Sequence, residues 1–66
     1  MIITLNGQKR EVENELSIQD LLIEFDLVQE RVAVEQNGTI IDRANFASTS
    51  LSDGDKVEIV RFVGGG

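Results

Sequence analysis

The groups in this chain best suited to covalent chemistry stand at its end, where Val63-Gly64-Gly65-Gly66 follows an apolar, strand-like run. Glycine has no Cβ, accepts almost any φ/ψ and lets another backbone or a nucleotide come close. Successive glycines therefore make a thin stalk able to thread a narrow enzyme channel, with the last carboxyl group at its tip. A carboxylate is a poor electrophile, because resonance and negative charge both resist attack. Joined to AMP from ATP it becomes an acyl adenylate, and a sulfur nucleophile or a thiol can then displace AMP to leave a thiocarboxylate or a thioester. Gly66 is the expected point of attachment, and Gly64 and Gly65 form the tail presented to partner active sites. A Cβ on the last residue would crowd the adenylate.

The chain has no histidine and no cysteine. That removes disulfides, thiolate nucleophiles, the usual zinc ligands and the one side chain that titrates near neutrality unperturbed. The chemistry is thus expected to belong to separate enzymes, with the chain as carrier and co-substrate, no bound cofactor, and ATP used by the activating partner. Asp53-Gly54-Asp55 lacks the spacing and the distal glutamate of a calcium loop and reads as a plain turn, so no metal site is expected. Glu11, Glu13 and Glu15 sit at strand spacing on one solvent face. Twelve acidic residues against six basic ones give a net charge of −6, which phosphate backbones repel, so nucleic acid is not an expected partner. Seven of the acids fall between Glu11 and Glu30 and should give one side a negative potential that steers a basic groove toward it. The apolar runs are too short to span a bilayer and the first residues lack a signal peptide's features, which makes the cytoplasm the expected location.

A rigid body has to carry that tail. Ile3 and Leu5 alternate with Ile2 and Thr4 up to Asn6-Gly7, a dipeptide suited to a type I′ hairpin, and residues 8–13 return as a charged edge strand. Ser17 is placed to cap a helix with Asp20 as the capping-box acid and Leu16 as the staple onto Leu21. Within it Ile18, Leu21, Leu22 and Phe25 follow helical spacing, Gln19, Asp20 and Glu24 face water, and the helix should end near Asp26 with Leu27-Val28 closing the turn. Residues 31–36 read as a third strand, which a second Asn-Gly, Asn37-Gly38, turns into Thr39-Ile40-Ile41. Residues 43–47 suit a short helical turn whose Phe46, with Leu51, plugs the core. Residues 56–62 form the last strand. Strict alternation points its Val57 and Ile59 inward and leaves Val60 and Phe62 outward, an apolar patch of the kind that marks partner docking.

Hairpin, helix, hairpin, connector and strand, with the last strand inserted parallel to the first, make the α+β arrangement called β-grasp: a mixed sheet of about five strands packed on one main helix. Residues 1–62 form the domain and 63–66 the tail.

Several pieces stand in an order and spacing already known. They are residues 1–6 with Gly7, the helix start at 17–22, and Val32-Ala33-Val34-Glu35 followed by Asn37-Gly38. Further along come Ile40-Ile41 leading into Arg43, Leu51-Ser52-Asp53-Gly54-Asp55, Val57-Glu58-Ile59, and Gly65-Gly66. Over essentially its whole length the chain resembles the ThiS family, the ubiquitin-like sulfur carrier proteins of thiamine thiazole biosynthesis. The resemblance implies that Gly66 is adenylated by an adenylyltransferase related to ubiquitin-activating enzymes. It implies conversion to a thiocarboxylate with sulfur from a donor protein, and use by thiazole synthase. The chain departs from the family at Asp42, where proline is frequent, and at Gly64, where a larger residue is usual. A molybdopterin-type sulfur carrier, a ubiquitin-like protein modifier and a regulatory β-grasp module with an incidental tail are the alternative readings.

Overall fold

Both Asn-Gly dipeptides turn hairpins. In the computed structural model, which describes residues 1–27 and 31–62, Asn6 and Gly7 have φ of 48° and 82°, and Asn37 and Gly38 have φ of 51° and 84°. Positive φ at both central positions is type I′ geometry, whose twist matches that of the flanking strands. The first turn joins β1 (Ile2–Leu5) to β2 (Gln8–Glu11) and the second joins β3 (Val32–Gln36) to β4 (Thr39–Ile41). β2 stops short of the expected residue 13, because the ladder closes where the amide of Val12 donates to the carbonyl of Met1 at 2.8 Å. Val12 itself is buried.

The helix α1 (Ile18–Glu24) starts on a reciprocal pair of bonds. Ser17 Oγ accepts from the Asp20 amide at 3.0 Å, and the Asp20 carboxylate accepts from the Ser17 amide at 3.1 Å. Such a cap is worth about 1 kcal/mol. α1 ends near Asp26, as expected, though on a conformation that an aspartate does not advertise: that residue takes φ 58° and the backbone folds back on itself. The amides of Asp26 and Leu27 donate to the carbonyls of Ile23 and Leu22 at 3.0 and 2.7 Å, which is a Schellman closure. Val28 lies outside the described residues. Ile18, Leu21 and Leu22 are buried, while Phe25 and Leu16 pack partly exposed against the same core. Gln19, expected in water, is half-buried.

β5 (Lys56–Arg61) inserts at the centre of the sheet, parallel to β1 and antiparallel to β3, and the strand order is β2-β1-β5-β3-β4. The two polar or short strands are therefore the edges, which protects the sheet from pairing with other chains. On the inner face Ile3, Leu5, Val32, Val34, Val57 and Ile59 meet the helix. A 3-10 turn at Arg43–Asn45 delivers Phe46, which with Leu51 closes the core, as their spacing predicts. Asp42 precedes that turn with φ −65°, the value a proline ring would impose. The connector thus follows a proline-compatible path without proline.

Candidate functional site

Register decides what β5 shows to solvent. Val57 stands opposite Leu5 and Gln36, and Ile59 opposite Val34, all on the helix side. Lys56, Glu58 and Val60 take the other face. Val60 is 55% exposed and Phe62 57%, and the Phe62 amide still donates to the Arg31 carbonyl at 2.9 Å. Pairing with the β3 side therefore continues through Phe62, so these two apolar side chains stand on backbone that is fixed. Ala33 lies opposite Val60 on this face. Ile40, 71% exposed, lies opposite Glu35 and belongs to it too. Ala33 and Ile40 extend the apolar surface beyond the two residues that alternation singled out. Their signal was the register of the second hairpin, which a strand-by-strand reading leaves undetermined. Gly64, Gly65 and Gly66 lie outside the described residues.

Asp55 has a larger role than a turn residue. Gly54 does turn the chain, with φ 87°, yet Asp55 is only 8% exposed. Its Oδ2 accepts from Gln36 Nε2 and from the Ser52 amide, both at 2.8 Å, and its Oδ1 accepts from Asn37 Nδ2 at 3.0 Å. Burial by itself would raise its pKa, but the bonds from Asn37, Ser52 and Gln36 outweigh that and hold the carboxyl below its ordinary value. These partners are hydrogen donors, so Asp55 is a structural lock between the second hairpin and the start of β5. Sequence spacing does not reveal it, because Gln36 and Asn37 reach it only through the sheet.

Most of the other acidic groups among the described residues stand at the surface. Glu11, Glu13, Glu15, Asp20, Glu24 and Asp26 are all exposed, while Glu30 lies outside the described residues. Among the described residues no three acidic groups converge as a metal site. On the helix side an open groove of about 430 Å³ is lined by Leu5, Gln8, Arg10, Phe25, Leu27 and Arg61, among others, with no carboxylate and no nucleophile. Arg10 is held there over the Phe25 ring, 5.7 Å from its centroid, and donates to Gln8 Oε1 at 3.1 Å.

A five-stranded mixed sheet with a parallel central pair, one helix across its inner face and the final strand leading to a glycine run defines a ubiquitin-like β-grasp protein. The crystal structure of the thiamine biosynthesis protein ThiS from Geobacter metallireducens superposes with a TM-score of 0.86 at 38% identity, covering 100% of both chains. The sequence matches the ThiS family over residues 3–66, and the chain belongs to that family. The sulfur carrier protein ThiS of Bacillus subtilis is 39% identical over 66 residues, 98% of this chain and 100% of that protein. The thiazole synthase of Paramagnetospirillum magneticum is 38% identical over 66 residues; the match takes in 100% of this chain but only 20% of that protein's length. No helix among the described residues is long and apolar enough to cross a membrane.

Proposed function

We propose that this chain is a sulfur carrier of thiamine biosynthesis, a protein without catalytic groups of its own whose reactive atom set is the carboxyl of Gly66. A separate ATP-using adenylyltransferase joins that carboxyl to AMP and releases pyrophosphate. A sulfur nucleophile supplied by a donor protein displaces AMP, and the resulting thiocarboxylate passes to a thiazole synthase. Val60 and Phe62, with Ala33 opposite Val60 and Ile40 further across the same face, form the face on which the activating partner docks. Gly64 and Gly65 carry the acyl carbon into successive active sites. The cycle runs in the cytoplasm.

The observation that carries this reading is the family match extending to residue 66, together with the identity to a sulfur carrier along that protein's whole length. The alignment of the entire chain with part of a thiazole synthase supports the choice of partner. The absence of histidine and cysteine supports the division of labour, because nothing in the composition could activate a carboxylate. The test is intact mass spectrometry after incubation with ATP, the activating enzyme and a sulfur donor. The expected product has one oxygen exchanged for one sulfur, localised by fragmentation to Gly66. High-mass conjugates to lysines would instead identify a protein modifier.

A further inference from the structure

β1 ends at Leu5, and Asn6-Gly7 turns the chain away into β2. The last part of β5 therefore runs past the end of the strand that supports it on that side. Alternate residues of β5 present their backbone groups toward β1. The Asp55 carbonyl accepts from the Thr4 amide at 2.9 Å and the Val57 carbonyl from the Asn6 amide at 2.9 Å. At Ile59, next in this series, the Asn6 side chain stands in for a strand. Its Oδ1 accepts from the Ile59 amide at 2.7 Å and its Nδ2 donates to the Ile59 carbonyl at 3.2 Å. One carboxamide thus satisfies both groups that a neighbouring strand would have satisfied, immediately before Val60.

The residue type is more specific than the turn demands. A type I′ turn accepts Asn, Asp or Gly here, but among these only Asn offers a donor and an acceptor together. The second hairpin supplies an internal control. Asn37 also reaches β5, with Oδ1 accepting from the Lys56 amide at 2.9 Å and Nδ2 donating to Asp55 at 3.0 Å. It grips the start of the strand, the end away from the glycine tail.

We infer that Asn6 is a positioning residue for chemistry at the C-terminus: β3 holds one edge of β5 as far as Phe62, and Asn6, by holding both backbone groups of Ile59 on the other edge, completes the two-sided support that sets the direction in which the chain leaves the sheet. It thereby sets where the terminal carboxyl arrives once the body has docked. The inference rests on the sulfur-carrier reading above. A protein with a loosened strand end still docks through Val60 and Phe62 but brings its carboxyl into attack geometry less often, so the loss falls on kcat. Misplacement of a reacting group by about 1 Å costs up to ~10²-fold in rate.

The test compares Asn6→Gly with Asn37→Gly. Both substitutions keep a residue that tolerates positive φ and remove one side-chain grip on β5. ATP-dependent thiocarboxylate formation is measured at varied carrier concentration, with folding of each variant followed by thermal denaturation. Asn6→Gly is expected to lower kcat about tenfold or more with KM changed less than about twofold, while Asn37→Gly leaves both near wild type. Asn6→Asp, which keeps the turn and the acceptor but loses the donor, should fall between. Equal kcat for Asn6→Gly and wild type, an equal loss in Asn37→Gly, or an effect confined to KM overturns the assignment. If the wild-type chain gains no sulfur, the carrier reading fails and takes this inference with it. Wild-type conversion with unaltered Asn6→Gly kinetics defeats the positioning role alone.

Discussion

The two ends of β5 are held by different chemistry. At its start the buried carboxylate of Asp55 gathers Gln36, Asn37 and the Ser52 amide, a charge-assisted arrangement that is strong while the group is ionised. At its end a neutral carboxamide, Asn6, grips Ile59, and beyond it stand the exposed Val60 and Phe62. Both are anchors, yet the first is enclosed among other elements and sensitive to acid, whereas the second is indifferent to pH and borders open surface. The strand is thus anchored through an ionised group at its start and through a neutral one at the end that leads to the face proposed for docking.

The largest expected effect separates the two ends outright. Deleting Gly65 and Gly66 should abolish thiocarboxylate formation by mass spectrometry and leave the urea midpoint unchanged, because the core and both anchors of β5 are built from residues within 1–62. Next comes Asp55→Asn, which turns an acceptor into a donor facing donors and leaves buried groups unsatisfied. A loss of about 2–3 kcal/mol at neutral pH is expected from urea unfolding. Its pH dependence sharpens the contrast further. Because the folded-state pKa of Asp55 is depressed, its stabilisation is complete above the ordinary carboxyl value and is lost as pH falls through that value toward the lower folded one. Wild-type stability should therefore decline in that acid window, and Asp55→Asn should lack this part of the decline.

At the other end, Phe62→Ala combined with Val60→Ala should weaken binding of the activating enzyme about tenfold or more in a calorimetric titration. Stability should stay within about 0.5 kcal/mol, as for other exposed sites. Unchanged affinity would remove the outer face from the docking surface. The smallest effect lies between the two ends, where Glu58 and Glu35 stand directly opposite each other on the outer face. Like charges in that position repel, so Glu35→Lys should raise stability by about 0.5 kcal/mol in the same urea assay.

Much of the architecture was legible because its causes are local. The capping box needs only Ser17 and Asp20, both Asn-Gly turns need only their own dipeptides, and inward placement of Val57 and Ile59 follows from alternation alone. How α1 ends was less legible, since the αL conformation that stops it falls on Asp26, where a glycine would have given the sign. The turns at Asn6, Asn37 and Asp53-Gly54-Asp55 stand as their spacing predicts, but that spacing does not show that Asp55, Asn6 and Asn37 also bond across the sheet. Their partners are 19, 53 and 19 positions away in the chain, and no spacing rule links such pairs.

By itself, then, the sequence determined the main elements, their order, the alternation that turns Val57 and Ile59 inward, the absence of histidine and cysteine, and the glycine run on which the carrier proposal depends. These follow from backbone preferences and side-chain chemistry acting over a few residues. Only the tertiary structure decided that Asp55 is a buried lock, that Ala33 and Ile40 share a face with Val60, and that Asn6 completes the ladder of β5. Each of those depends on which strands become neighbours and in what register, and that is settled by burying one common apolar face, a property of the whole chain.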